Sequence, residues 1–305
     1  MNQLEDPLVS IVIPAYHSSA TIGGTLRALR LQTYSRFELI VVNSSPDLET
    51  GQRVKEGFPE ATFIQKPQRL LPHAARNIGA EKAIGNLLVF TDPDCLAERD
   101  WLEKMVDAHR TGLKAIVGSM GLAGGGWRAT GIHLCKFHWL LPGLPASNKR
   151  CAPTANAAYS RDIWETIGPF PGSVYAGDGV LSRKAAAVGH EPRFVPEAMV
   201  RHHHSESLMS FLKQRVERGR DYARVRVTVL EEKSLQDRLS MLFSFLALPL
   251  VLFRSWKNSF RCGWSREWWV TLPVQAAGHL GWALGESMET AGMLLRGVTK
   301  GGKQI

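Results

Sequence analysis

Val9-Ser10-Ile11-Val12-Ile13-Pro14-Ala15-Tyr16 opens with a short apolar run closed by a proline, which reads as a strand buried on both faces. Such a strand belongs in the interior of a parallel sheet. Working outward, Ser19 or Thr21 can cap a helix whose Ile22, Leu26 and Leu29 recur at helical spacing. Residues 37–42 repeat the buried-strand pattern, which completes one βαβ unit. A helical stretch around 48–58, a weak strand at 61–64, a helix at about 72–84 and a strong strand at 87–91 continue the alternation. The pattern predicts an α/β fold, Rossmann-like, with a doubly wound and mostly parallel sheet.

The chain has 305 residues, 44% of them hydrophobic, enough for a sizeable core and against disorder. Its four cysteines, Cys95, Cys135, Cys151 and Cys262, form no CxxC pair, so neither a zinc site nor a disulfide framework is signalled and a reducing compartment is expected. Glu5 and Asp6 precede Pro7 without an apolar run, which predicts no cleaved secretory signal and a cytosolic start. The formal charge of +9 attracts polyanions. No zinc-finger, RNP-like or recognition-helix pattern accompanies it, so nucleic acid is not an expected partner.

In doubly wound sheets ligands bind at the carboxyl ends of the strands. Here these ends carry Pro14-Ala15-Tyr16, Asn43-Ser44-Ser45-Pro46-Asp47 and Thr91-Asp92-Pro93-Asp94, and neither GxGxxG nor GxxxxGK[ST] occurs. Asp92 and Asp94 at a strand exit can converge on one hard divalent cation with its diphosphate, or form a solvated turn in which Asp94 caps the next helix. Asp178, between Gly177 and Gly179, suits a general base or a helix N-cap. Strand alternation puts His202 and His204 on one face and His203 on the other. One or two of them can join a metal, where imidazole beside carboxylate suits manganese better than calcium, or they form a surface cluster. Arg215 and Arg218 share a helical face, fit either for phosphates or for solvent. The Gly-rich residues 121–131 and the Pro- and Gly-dense residues 142–153 read as a mobile lid, an acceptor-facing segment or a plain connector. Order returns at 154–159, with helices from about Asp162 and near Asp178 and a long Arg-rich helix from Ser207 toward 233.

In this order the motifs resemble the family 2 glycosyltransferases of GT-A fold, over about residues 8–225. The resemblance implies a nucleotide-diphospho-sugar transferase in which Pro14, Ala15 and Tyr16 open the nucleotide domain and Asn43 with Ser45 meets the base. Ala74-Ala75-Arg76-Asn77-Ile78-Gly79 resembles the helix beside the nucleotide, and Arg76 and Asn77 are expected there. Phe90-Thr91-Asp92-Pro93-Asp94-Cys95 is similar to the metal-binding strand exit, which assigns Asp92 to donor and metal, and Asp94 and His202 to the metal, Mn2+ or Mg2+. Asn156-Ala157-Ala158-Tyr159-Ser160-Arg161 with Gly168-Pro169-Phe170 resembles the acceptor side, to which Asn156 and Gly177 belong. Asp178 takes the place of the catalytic base, and Arg215 and Arg218 that of a basic helix contacting the donor. The reaction implied is inverting transfer of a sugar from a nucleotide-diphosphate sugar to a hydroxyl acceptor, lipid-linked or of the cell envelope. Asn43, Gly177 and Val180 stand where the family carries acidic residues. A membrane-associated scaffold of the same fold, weakened in turnover, is the alternative these departures suggest.

Toward the C-terminus, residues 239–253 carry no charge between Arg238 and Arg254 and would span about 22 Å as a helix against ~30 Å of hydrocarbon. Residues 268–285 are also uncharged, begin with paired tryptophans and are interrupted by Gln275, His279 and glycines. These two stretches predict either a short spanning hairpin or re-entrant or interfacial helices, at the cytoplasmic face of the cell membrane and in contact with its lipids; a soluble helical subdomain or dimer interface is the third reading. The organisation expected is a catalytic domain over 1–206, a basic helical connector over 207–237 and hydrophobic membrane-associated helices over 238–305.

Overall fold

The computed structural model describes residues 7–296. The segment read above as lacking a secretory signal lies outside them save for Pro7, as do residues 297–305 of the C-terminal stretch. Within them the chain divides into two compact units: an α/β unit from residues up to 123, 140–173 and 177–203, and a helical unit from 124–139, 174–176 and 204 onward.

The α/β unit begins with β1 (Val9–Ala15), α1 (Ser19–Arg30), β2 (Phe37–Asn43), α2 (Glu49–Gly57), β3 (Thr62–Gln65), α3 (Pro72–Lys82) and β4 (Leu87–Thr91). All seven residues of β1 are buried, and Ile22, Leu26 and Leu29 of α1 face the interior as their spacing requires. Burial of each such side chain contributes roughly 1.5–3 kcal/mol. Pro72 starts α3, where its missing N–H costs nothing. Gly79 lets this helix sit directly on β1, since a Cβ there would lie 2.4 Å from Val12 Cγ1.

Beyond β4 the chain forms β5 (Cys95–Ala97), α4 (Trp101–Arg110), β6 (Ala115–Ala123), β7 (Asn156–Ser160), α6 (Arg161–Ile167), α7 (Gly177–Ala187) and β8 (Arg193–His203), with α5 (Trp127–Phe137) of the helical unit intervening after β6. One sheet holds all eight strands in the order β3-β2-β1-β4-β7-β6-β8-β5. Strands β3, β2, β1 and β4 are parallel; β7 runs antiparallel to both β4 and β6, and β5 antiparallel to β8. The Rossmann-like, mostly parallel sheet expected from the apolar runs is present. Its β1–β2 register ends level at Ala15 opposite Asn43, which brings two predicted site segments side by side.

Residues 121–131 do not form one loop, and this corrects the lid or connector reading. Strand β6 runs to Ala123 and helix α5 starts at Trp127. Gly131 is a packing glycine, because a Cβ on it would lie 2.6 Å from Val274 Cβ.

The helical unit consists of α5, α8 (Leu208–Thr228), α9 (Leu235–Leu242), a 3-10 turn (Ser244–Ala247), α10 (Leu248–Arg261) and α11 (Ser265–Leu295). Ser207 caps α8 by accepting from Ser210 N, and Ser234 with Asp237 makes a reciprocal capping box on α9. Ile132, Cys135, Phe211 and Val274 form one hydrophobic cluster of its core, and Ala223, Val227 and Met241 another. The glycines that interrupt residues 268–285 let α11 approach α8 at backbone distance: a Cβ on Gly285 would lie 2.0 Å from Val216 O. Among the described residues no single helix is long and apolar enough to cross a membrane; α9 and residues 244–261 pass that test only as a pair bent by 70°.

Candidate active site

Thr91 ends β4, and the chain turns at once: Cys95 N donates to Asp92 O at 3.1 Å, with Pro93 setting the first central position of the turn. The turn delivers Asp94 to β5. Cys95 pairs with His202 across β5 and β8, and His203 N donates to Asp94 O at 2.9 Å. Antiparallel pairing therefore sets the Asp94 carboxylate 3.7 Å from His202 Nε2. Asp94 does not cap a helix, because α4 starts after Asp100. Asp94, Cys95 and His202 place their ligand atoms within 4.8 Å of one another. Burial, with Asp94 and Asp92 nearby, pushes the Cys95 thiol well up; beside it Asp94 and His202 offer a carboxylate and an imidazole. That pair fits a hard or borderline cation such as Mn2+ or Mg2+ better than a soft one.

The histidines alternate as strand geometry requires: His202 and His204 are buried and His203 exposed. His204 takes no part in the cluster around Asp94. It faces His133 Nδ1 at 3.2 Å and Glu206 at 3.6 Å, and Lys136 lies 3.0 Å from the same carboxylate. Burial, which favours the neutral acid, is outweighed there by His204 and Lys136, which hold Glu206 well below the usual carboxylate range.

Arg76, buried on α3, bonds to Asp92. Its Nε is a buried donor without a hydrogen-bond partner, the kind of group an anionic ligand satisfies. Next to it on α3, Asn77 clamps the loop after α6: its amide donates to Phe170 O at 2.8 Å and accepts from Phe170 N at 3.0 Å. Asn156 is buried and uses both ends of its amide, donating to Ser119 O and Ala198 O and accepting from Trp101 Nε1. The structure thus places Asn77 and Asn156 as struts that shape the site.

Pro14 and Ala15 continue β1, and Ala15 O accepts from Ser44 N. Tyr16 is 40% exposed, with the Arg69 guanidinium 4.7 Å over its ring. Asn43 is buried, bonded to Gln65 Oε1 at 3.0 Å and to Ser45 Oγ at 2.8 Å. Sequence reasoning registered the missing acid at Asn43 and overlooked Asp47. This carboxylate accepts from Ser45 Oγ and Thr50 N and lies 3.4 Å from His17, itself strained at φ 48°. Burial raises the Asp47 pKa, and the Ser45 and Thr50 hydrogen bonds more than offset it, so Asp47 stays below the usual value. An Asp four residues past a strand end and three before Thr50, whose N–H it accepts, was the available signal.

Asp178 lies in the first turn of α7, its Oδ1 accepting from Gly179 N at 2.8 Å. Gly177 has no room for a side chain: a Cβ would lie 2.8 Å from the His73 ring and 3.1 Å from Pro171 O. The missing carboxylate at 177 is thus matched by a histidine in its space. In the helical unit Arg215 is buried, donates to Gly278 O and lies 4.6 Å over the Trp282 ring, while Arg218 lies over Tyr175. Burial pushes the Arg215 pKa down.

This arrangement can hold an anionic, cation-chelating ligand at the β4 exit and offer a carboxylate base from α7. Residues 10–168 match the model of the glycosyl transferase family 2. The glycosyltransferase AglE of Haloferax volcanii is 27% identical over 254 residues, covering 80% of this chain and 83% of that protein. The probable glycosyltransferase YdaM of Bacillus subtilis is 27% identical over 239 residues, covering 72% and 57%. Among solved structures, the mannosyltransferase PcManGT of Pyrobaculum calidifontis, in complex with GDP-Man and Mn2+, superposes with a TM-score of 0.58 at 19% identity, covering 97% of this chain and 80% of that one. The strand order and helical placement are those of the GT-A fold. With the motifs in family order and the family model matching more than half of it, the chain belongs to glycosyl transferase family 2 and is a glycosyltransferase.

Proposed function

We propose that the protein transfers a sugar from a nucleoside-diphosphate sugar to a hydroxyl acceptor with inversion, at the cytoplasmic surface of a membrane. The observation that carries this reading is the juxtaposition of Asp94 and His202 at the β4 exit, beside the Arg76–Asp92 pair. A divalent cation on Asp94 and His202 would neutralise charge building on the leaving diphosphate. Arg76 would turn its unsatisfied donor to the donor sugar or phosphate, and Tyr16, Asn43 and Ser45 would line the base end. Asn77 would stand beside the nucleotide, and Asn156 and Gly177 would fix the walls on the acceptor side. Asp178 would take the proton of the acceptor hydroxyl as the new glycosidic bond forms on the face opposite the departing diphosphate, so one base suffices.

A membrane surface as the place of action rests on the polarity of α10. Its buried residues are Ser255 and Ser259, whereas Leu250, Phe253 and Phe260 are 50%, 55% and 62% exposed. Ser255 bonds to Gln275 and Trp268, so this side of the helix packs inward through a polar contact. A helix with its apolar face outward fits the acyl boundary, and Arg254, Lys257 and Arg261 suit anionic head groups. Lipid-linked acceptors would meet the enzyme there.

Thermal stability in the presence of UDP, GDP and their sugars, with and without Mn2+, tests the donor site, and donor hydrolysis tests the base. One nucleotide should stabilise the wild type in a metal-dependent way, and Asp92→Ala/Asp94→Ala should lose the shift. Asp178→Asn should keep the shift and lose turnover by ~100-fold or more. No shift with any nucleotide, or full turnover in Asp178→Asn, would overturn the assignment.

A further inference from the structure

Ser182, in the second turn of α7, is fully buried. Its hydroxyl proton goes to the carbonyl oxygen of Asp178, four residues back, at 2.8 Å. Its oxygen accepts from Ala152 N at 2.9 Å, and the Tyr159 hydroxyl lies 3.3 Å away. Residues 152, 159, 178 and 182 all belong to the α/β unit, as do Asp94 and His202. A serine hydroxyl carries one proton and two lone pairs, so with the proton committed to Asp178 the oxygen is left to accept. The Ala152 amide meets it at good range, whereas the Tyr159 contact is long for a pair of hydroxyls. A hydroxyl bonded to the carbonyl four residues back slightly disfavours its helix. Here the cost is offset by the hold on Ala152, at the end of the Pro- and Gly-dense residues 142–153. The same stretch is tied to the start of β8, where Phe194 N donates to Ser147 O and Lys149 N to Pro192 O, both at 2.8 Å. It therefore stands as a fixed wall beside the first turn of α7. The Cys151 thiol in this wall feels both groups: burial pushes it well up, the Asp178 charge adds to that, and Ser182 opposes it.

We propose that Ser182 is a positioning residue for the transfer reaction: its hydroxyl ties the backbone of Asp178 to the wall at Ala152 and so fixes where the base carboxylate meets the acceptor hydroxyl. The proposal rests on the reading of Asp178 as the base. A general base displaced by about 1 Å loses on the order of 100-fold in rate although nothing that binds donor has moved. Neither Ala152 nor the Asp178 carbonyl is on the donor side, so Ser182 acts on turnover and leaves donor affinity alone.

Three readouts on the full chain test this: turnover of UDP-glucose and GDP-mannose with Mn2+, the thermal shift given by UDP and GDP, and hydrogen exchange at the Ala152 amide. Ser182→Ala should speed that exchange about tenfold or more and lower turnover by about ten- to a hundredfold, with an unchanged nucleotide shift. In an Asp178→Asn background the same substitution should cost less than about threefold, because a base already removed cannot be misplaced. Should Ser182→Ala not fold, Ser182→Cys takes its place, since a thiol fills similar space and accepts hydrogen bonds weakly. Unchanged exchange or unchanged turnover overturns the proposal. So do losses that multiply in the double variant, as a merely structural role would give, or a nucleotide shift lost in step with turnover by a folded variant. Full turnover in Asp178→Asn, or a wild type that turns over neither donor yet shows the nucleotide shift, would sink the assignment of the base and the role of Ser182 with it. Faster exchange at Ala152 would in that case still establish the hold of Ser182 on the wall.

Discussion

At Gly177 a single missing side chain is explained by another residue's ring. His73 is buried, stacks on Phe170 with centroids 4.8 Å apart, and fills the volume into which a Cβ would project. Gly177→Glu should therefore destabilise the fold by ~1–3 kcal/mol through overpacking. Adding His73→Ala should recover most of that loss, a coupling that urea unfolding of the two single variants and the double variant would measure. Additive losses would show that His73 does not define the space. Single-residue facts of this kind divide sharply in how well sequence reveals them. That Asp94 and His202 meet was legible because both lie at strand exits, where register decides which groups meet; that Asp92 turns to Arg76 instead was not. The His73 ring in the space beside Gly177 was not legible either, since the two are distant in sequence and meet through a loop whose course no local pattern fixes.

Among the elements, β1, β2 and β4 declared themselves through short runs rich in β-branched and apolar residues, and α1 through its 3.6-residue period. Helix α5 was hidden by Gly124, Gly125, Gly126 and Gly131, because a glycine needed for a turn and a glycine needed for close packing look alike in sequence. The same ambiguity made Gly278, Gly281 and Gly285 look like flaws in an apolar stretch, although they are where α8 and α11 touch. Helix α10 inverts the usual rule that the apolar face turns inward, and this makes a prediction. Leu250→Asp/Phe253→Asp should cut partitioning onto vesicles containing anionic lipid by tenfold or more, since each side chain is worth more than ~1.4 kcal/mol when buried in the acyl boundary. Wild-type binding should also weaken with added salt, as the basic residues are screened. Co-sedimentation with liposomes checks both, and equal binding of the variant would remove α10 from the membrane contact.

For the molecule as a whole, acid stability is set partly by His279 in α11. Burial, with the Arg215 and His138 charges, lowers its pKa from 6.5 to about 3, and its Nε2 is buried without a hydrogen-bond partner. Because the unfolded chain takes up this proton near pH 6.5 and the folded chain does so only near 3, stability falls as pH drops through that window, by up to about 1.4 kcal/mol per unit from this group. Unfolding midpoints measured between pH 7 and 4 should decline less steeply in His279→Gln than in the wild type; parallel declines would clear His279 of the effect.

The helical unit is not one stretch of chain. Helix α5 leaves the ribosome well before α8 and α11, yet Ile132 and Cys135 on α5 find their core partners in Phe211 and Val274. At ~5–20 residues per second, synthesis makes the nascent α5 wait for several seconds with that face uncovered. Vectorial synthesis therefore exposes this protein to misassociation at α5, and a chain ended by a premature stop before Phe211 would emerge with that face permanently bare.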